Sequence, residues 1–385
     1  MMPSNSILLF YHFGANIGYA IEKLEPVFFQ MAKQLVGSES RVHVAYPNYD
    51  SGRPRYLPDN FNNLIEFNGK SLTSAQERWL VNYIKTNRIT VAFGFDQPVR
   101  RQGFGVLRKG GVKHLISYQG APMSQINHGL KLLLKRLEVS LSFKKPDFFI
   151  FESKAMQQTA VCGRGIRYGN TAVVPMGVDT EQYSPNEDDR KYAYDTFAIP
   201  ENRKIVFYSG HMEERKGVRV IIKAAKELVI SRGVRNVHFL FLGNKPGEKE
   251  EFDAEYRGTL AEEFITFGGY RGDIPRLLHS AYLGCIASTG WDSYTMSSLE
   301  MAASGLPLLV SRLQGLAETV EEEKTGLLFE PGDYCSLADH IERLLNDKGL
   351  RDRYGLAARE RVIHSYSRQQ HINNLVEIVE RVISR

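Results

Sequence analysis

Along this chain, short apolar runs alternate with stretches in which apolar residues recur every three or four positions. In the first half the runs are SILLFYH (6–12), RVHVAYP (41–47), ITVAFGF (89–95), KHLISYQ (113–119), DFFIFES (147–153) and TAVVPM (171–176). They are rich in β-branched and aromatic residues and bounded by turn formers, which predicts strands. Between them, IEKLEPVFFQMAKQLVG and TSAQERWLVNYIKTNR carry a helical period. Near-continuous apolar strands alternating with helices predict a parallel sheet covered on both faces. The second half repeats the rhythm, with RKIVFYSG, VHFLFLG, EFITFGG, YLGCIAS, LPLLVS and TGLLFE as strands. VRVIIKAAKELVI and SYTMSSLEMAASG are the predicted helices between them. The polar stretch SPNEDDRKYAYDTFAIPENR (184–203) separates the halves. The expected organisation is therefore α/β: a Rossmann-like domain over 1–185, a second over 186–365, and a C-terminal helix within 366–385 that could pack back on the first. Two such domains facing each other would bury a ligand in a cleft at the C-terminal edges of their strands.

Composition narrows the class. At 43% hydrophobic and 24% charged, the chain has the make-up of a globular protein. Cys162, Cys285 and Cys335 form no CxxC pair, which argues against a disulfide framework or thiolate metal site and fits a reducing cytosol. The start, MMPSNSILLFYHF, lacks the pattern of a signal peptide, and no apolar run reaches the roughly 18 residues of a membrane span. A cytoplasmic protein is the expectation, soluble or peripheral at the inner face of a membrane. The net charge of +5 hides an asymmetry: residues 1–185 carry +9 and residues 186–385 carry −4. A basic first half suits an anionic partner (phosphates, lipid head groups or nucleic acid) or is a solubilising surface bias. Nucleic acid is disfavoured, because no recognition motif with interleaved aromatics accompanies the charge.

Two segments carry candidate chemistry. In FYSGHMEERKGVRVIIKAAKELV (207–229) a strand ends at Gly210, Arg215 and Lys216 lie in the turn, and a helix begins near Gly217. A cation beside a helix start with close backbone approach suits a phosphate, although basic residues at helix starts are common on surfaces. In IASTGWDSYTMSSLEMAASG (286–305), Asp292 falls in a loop and Glu300 follows after seven intervening residues, about two turns into a helix. Backbone amides of Ser293, Tyr294, Thr295 and Met296 would sit at that helix N-terminus, where an anion is favoured. A carboxylate on an otherwise apolar helix needs hydrogen-bond donors, and sugar hydroxyls would serve; two solvated acids are the plainer reading.

The ordered set SGHMEERKGV, FLGNKPGE, FGGYRGDIPRLLHSA, STGWDSYTMSSLEMAASGLPLLVS, QGLAETV and KTGLLFEPGD, preceded by VVPMGVDTEQYSP (173–185), resembles the retaining glycosyltransferases of family 4, which have the GT-B fold. Asp292 and Glu300 look like the family's E-x7-E with Asp in the first position. The resemblance implies that Glu300 binds ribose hydroxyls of a nucleotide-sugar and that Asp292, with the backbone after it, contacts the transferred sugar. It implies that Lys216 holds the diphosphate with help from Arg215. Gly210 and His211 would lie on the donor side, and Gly243, Gly269, Tyr270 and Arg271 on loops around the base. The glycine loop FGANIG (13–18), with Gly14, Ala15, Asn16 and Gly18, would close over phosphates and acceptor.

Three positions depart from the family pattern: His211 where Arg is usual, Gln119 where His is frequent, and the shorter acid at Asp292. Gln119 can bond a sugar hydroxyl but cannot shuttle a proton. The implied reaction is retaining transfer by front-face attack, with neither a metal nor a protein nucleophile required; Asp292 is the one carboxylate near enough to compete for that role. A UDP-sugar is the expected donor, and a sugar or lipid-linked sugar in cell-surface polysaccharide or glycolipid assembly the expected acceptor. A non-catalytic partner subunit, an epimerase and a hydrolase are the alternatives. A dinucleotide oxidoreductase is disfavoured, since FGANIG has only part of the GxGxxG spacing.

NHGLKLLLKRLEVSLSFKKPD (127–147) sets Leu130, Leu133, Leu134, Leu137 and Leu141 at helical spacing, flanked by Lys131, Lys135, Arg136, Lys144 and Lys145. Such a helix lies on an anionic membrane surface or packs its stripe on the first sheet. His12, after the first strand, and His128, before this helix, are acceptor-side candidates, though a lone histidine is often structural.

Overall fold

The computed structural model describes residues 5–142 and 144–385. The chain forms two compact units: Met1–Met176 with Gln369–Arg385, and Gly177–Arg368.

The first unit is built on seven parallel strands: β1 (Ser6–Phe10), β2 (Val42–Tyr46), β3 (Leu64–Glu66), β4 (Ile89–Phe95), β5 (His114–Gln119), β6 (Phe148–Phe151) and β7 (Thr171–Val173). They lie in the order β3-β2-β1-β4-β5-β6-β7. Every residue of β1, β2 and β6 is buried, which explains why these strands read as unbroken apolar runs. The edge strand β3 escapes the sequence pattern: it has three residues and only Ile65 is buried.

Helix α1 (Tyr19–Val36) stops at Gly37, whose left-handed φ of 71° lets its N–H reach the Lys33 carbonyl. Helix α2 (Ser74–Thr86) starts from a capping box in which Thr73 and Gln76 satisfy each other's backbone N–H groups. Helix α3 (Gln102–Gly110) packs on α2; its last residue, Gly110, abuts Ile84 so closely that a Cβ would come within 2.8 Å of the Ile84 Cβ.

Helix α4 (Gly129–Ser140) does not pack its leucines on the sheet. Leu130, Leu133, Leu134, Leu137 and the following Leu141 are 71%, 50%, 57%, 50% and 67% exposed. The helix is held by its other side. Gly165 (φ 85°) presses on the α4 backbone, where a Cβ would come within 2.7 Å of the Arg136 nitrogen. Val139 is buried, Asn127 Nδ2 donates to the Gly163 carbonyl at 2.6 Å, and Arg164 clasps Glu138 at 2.8 and 2.9 Å. These anchors override the usual inward turn of an apolar stripe. Phe143, within the same basic segment, lies outside the described residues.

The second unit has six parallel strands: β8 (Lys204–Ser209), β9 (Val237–Leu242), β10 (Ile265–Phe267), β11 (Ala281–Ile286), β12 (Leu308–Ser311) and β13 (Gly326–Phe329). Their order is β10-β9-β8-β11-β12-β13. The predicted helix VRVIIKAAKELVI is α-helical over Val218–Lys226 and widens to a π turn over Glu227–Ser231, which keeps Leu228 and Val229 in the core.

The C-terminal helix, Arg368–Ile383, buries His371, Ile372, Leu375, Val379 and Val382. The His371 ring lies 5.9 Å from that of Tyr118 at the heart of the first unit. Burial pushes the His371 imidazole down to about 3. A folded value below the unfolded one means that, between about pH 6.5 and about pH 3, the unfolded chain takes up a proton the folded chain refuses. Stability therefore falls as pH drops through that window, by about 2 kcal/mol between pH 7 and pH 5. Urea unfolding of wild type and His371→Leu should show the variant gaining that amount relative to wild type over this interval; parallel pH profiles would refute it.

Candidate functional site

In the second unit, β8 has β9 on one side and β11 on the other, so chain order reverses between β8 and β11. Loops leaving two strands at such a point diverge and open a crevice at the sheet's C-terminal edge. After β8 the chain passes Gly210 and His211, makes a 3-10 turn over Glu214–Lys216, and enters the helix at Gly217 (φ 72°). A Cβ at Gly217 would lie 1.7 Å from the Ala287 carbonyl oxygen just beyond β11, so only glycine fits. The Thr289 N–H donates to the Arg215 carbonyl at 2.8 Å, sewing the two loops together.

That approach brings Lys216 onto Asp292. The Lys216 Nζ donates to the Asp292 Oδ1 at 3.0 Å and to Oδ2 at 2.9 Å, with the side chains 14% and 8% exposed. The Ser288 hydroxyl donates to Oδ2 at 2.6 Å and the Ser293 N–H to Oδ1 at 3.2 Å. The Asp292 N–H points to the Gln314 Oε1 at 3.4 Å. The carboxylate thus has a cation and two neutral donors, which offsets the cost of its burial. Arg215 is placed differently: it donates to the Trp291 carbonyl at 2.9 Å and pairs with Glu213 at 2.7 Å on the surface. His211 is exposed, and its carbonyl accepts the Tyr208 hydroxyl at 2.7 Å. Burial, with the nearby Asp292 charge adding, drives that phenol well above its ordinary pKa.

Glu300 lies on the helix Met296–Ala303, only just past its first turn, because the helix begins at Met296 rather than earlier. Thr295 caps it, accepting from the Ser298 N–H at 3.2 Å. Ser293 and Tyr294 precede the helix. The Tyr294 hydroxyl reaches the Glu318 carbonyl at 3.1 Å and the Tyr366 hydroxyl at 3.2 Å, so this residue offers the site its backbone alone. Glu300 is 2% exposed and accepts the Tyr183 hydroxyl at 2.9 Å.

Three glycines form the rim at the ends of β8, β9 and β10. The Gly210 N–H donates to the Leu242 carbonyl at 3.0 Å, and the Gly243 N–H to the Gly269 carbonyl at 2.9 Å. At Gly243 (φ 108°) a Cβ would come within 2.2 Å of the Gly210 oxygen. The Gly269 N–H donates to the Asn244 Oδ1 at 2.9 Å. Beyond it, Tyr270 is 68% exposed. Arg271 is clamped on Asp273, which also accepts the Tyr192 hydroxyl at 2.8 Å; the guanidinium holds that carboxyl down to about 2.

The remaining sequence candidates belong to the first unit. His12 Nδ1 lies 3.2 Å from the Phe95 carbonyl, and burial lowers its pKa. Asn16 (φ 60°) clasps the 51–55 loop, donating to the Ser51 and Arg53 carbonyls at 3.1 and 3.0 Å. Gly14 faces Asn48, Ala15 is buried, and Gly18 (φ 74°) precedes α1. Gln119 is buried, its amide donating to the Gln97 carbonyl at 2.8 Å and the Ser117 hydroxyl at 2.7 Å. His128 is exposed before α4.

Several residues escape sequence reasoning. Ser288, Gln314 and Tyr183 all fall inside the motif strings, but only distances assign them to Asp292 and Glu300. In the first unit, Asp96 after β4 accepts the Gly120 and Ala121 N–H groups at 2.7 and 3.2 Å, and burial raises it to about 6. Glu152 after β6 is buried and likewise raised. No motif points to either.

Two Rossmann-like units on parallel sheets are the GT-B fold found in glycosyltransferase structures. The sequence profile of the family described as Glycosyl transferases group 1 matches residues 190–361, most of the second unit. Among curated relatives, the capsular polysaccharide biosynthesis glycosyltransferase CapM of Staphylococcus aureus is 26% identical over 165 residues, covering 43% of each chain. The chain spans less than half the length of the first curated relatives it matches. A glycosyltransferase from Rickettsia africae ESF-5 superposes with TM-score 0.82 at 16% identity, covering 98% of this chain and 99% of the other. Anabaena Alr3699/HepE, crystallised in complex with UDP, superposes with TM-score 0.76 at 18% identity, covering 97% and 99%.

The Gly217 contact generates a test. Gly217→Ala forces the β8 and β11 loops apart and places a side chain in left-handed backbone, at a cost of roughly 3 kcal/mol. Denaturant unfolding should register that loss; an unchanged midpoint would mean that the loops are not locked at this contact.

Proposed function

We propose that this protein is a glycosyltransferase that moves a sugar from a nucleotide-sugar, with the donor held by the second unit. The observation that carries the reading is the Lys216–Asp292 pair at the strand-order reversal, beside the buried Glu300 and the glycine rim. Expelling a nucleoside diphosphate builds charge on the leaving phosphate oxygen, so fixed cations and helix-end amides are what stabilise the transition state. Lys216 has three N–H donors and Asp292 takes at most two, leaving one for a phosphate oxygen. The start of the helix Met296–Ala303 supplies amides to the same anion. Glu300, now accepting the Tyr183 phenol, accepts ribose hydroxyls in the same way. The glycine rim lets a base lie against backbone.

Asp292 plays two parts. It holds Lys216 in place and, once a donor enters, bonds hydroxyls of the sugar. We assign the transfer to front-face attack with retention, the leaving phosphate taking the acceptor's proton, without a metal. UDP is the favoured nucleotide; the UDP complex of a protein with this fold supports that choice. The acceptor is a sugar or lipid-linked sugar in cell-surface polysaccharide or glycolipid assembly, a reading supported by the similarity to CapM.

Calorimetry with UDP and turnover with a panel of UDP-, GDP- and ADP-sugars test this. Asp292→Asn removes the anion competing for Lys216, so UDP should bind about tenfold tighter while transfer slows by at least about tenfold. Lys216→Ala should weaken UDP by about 10- to 100-fold, the loss of a charge-assisted hydrogen bond. Binding of no nucleotide would favour a non-catalytic partner subunit. A product of inverted anomeric configuration would end the retaining assignment.

A further inference from the structure

The first unit carries a feature that donor binding does not use: the outward leucine face of α4. It stands beside a basic hollow of about 660 Å³ lined by Arg100, Arg101, Gln102, Leu141, Ser142 and Lys144. Leu141 belongs to both, so the apolar stripe runs directly into the hollow. Arg100 closes one wall, its Nε donating to the Ser142 hydroxyl at 3.2 Å and its Nη2 to the Glu138 carbonyl at 3.1 Å. Arg101 is half-buried, its stem against Gly69.

We infer that this face docks on an anionic phospholipid bilayer, with the α4 leucines entering the head-group–acyl boundary and the basic hollow receiving a lipid phosphate. The charge around the stripe selects that occupant. Lys131, Lys135, Arg136, Lys144 and Lys145 flank the leucines, with Arg100 and Arg101 beyond them. The one acid on α4, Glu138, is already neutralised by Arg164 at 2.8 Å and Lys135 at 3.4 Å, and Asp147 by Arg108 at 2.7 Å. What remains is a strongly cationic rim around an apolar stripe, complementary to anionic head groups. A second copy of the chain fits poorly, since pairing two such faces brings like charges together.

The anchoring of α4 suits this role. Its leucines contribute little to folding, because Gly165, Val139 and the Arg164–Glu138 pair hold the helix from behind. Among the described residues no helix is long and apolar enough to cross a membrane. The inference is independent of the donor reading: it uses other residues in the other unit, and its test requires no nucleotide-sugar.

Co-sedimentation of the full chain with phosphatidylcholine vesicles, with and without phosphatidylglycerol, decides the matter. Binding is expected only with the anionic lipid and should weaken as salt rises. The double variant Leu133→Gln/Leu137→Gln, which alters exposed positions, should keep its melting temperature and bind at least about tenfold more weakly. Arg101→Gln/Lys144→Gln should also bind about tenfold more weakly to anionic vesicles. The inference is overturned by equal binding to neutral and anionic vesicles, by no binding to either, or by leucine variants that bind like wild type. Sedimentation velocity supplies one more refuting outcome: a dimer that dissociates in the leucine variant would make a second copy the occupant.

Discussion

A lysine at the end of one strand and an aspartate at the end of its neighbour share a charge across the reversal of the second sheet. The rest of the site depends on this contact. Gly217 is required because the β8 loop must touch the backbone beyond β11 before Lys216 can reach. Ser288 and the Ser293 amide are required because a carboxylate this buried needs more than one partner. Gln314, from the turn after β12, steadies the loop from a third direction. Small residues, a cation and an acid from three strand ends form one satisfied polar network.

The first sheet shows the same reversal, between β1 and β4, with a different outcome. There the strand ends carry His12, Gln97, Gln119, Asp96 and Glu152, and their bonds are mostly to backbone: Phe95, Gln97 and the amides of Gly120 and Ala121. No buried cation balances the two acids among the hydrogen bonds described, and burial keeps both carboxyls above their ordinary range. One topology therefore supports two kinds of polar edge: a paired ionic site on one and a lattice of mostly backbone hydrogen bonds on the other.

Much of the fold was legible because central strands of a parallel sheet are buried on both faces and so read as unbroken apolar runs. β3 was not, having one buried residue in three. Lys216 and Asp292 were legible as separate candidates, but their contact spans 76 residues, and no local period encodes it. Glu300 was placed too deep in its helix, since the start is set by the Thr295 cap, whose signal is lost among neighbouring hydroxyl residues. The leucine period of α4 was plain, whereas its direction was not. Periodicity says that a helix has two faces, and here the backbone contact at Gly165 decides which one points inward.

The abutting backbones of Gly210 and Gly243 also limit how this molecule can evolve. Where one main chain rests on another, a gene has little to vary: the smallest side chain already overlaps an oxygen. Drift along this rim is therefore confined to its neighbours, Asn244, which fastens Gly269, and the exposed Tyr270. Descendants with altered preferences along this edge would be expected to differ at those two positions while Gly243 stayed unchanged.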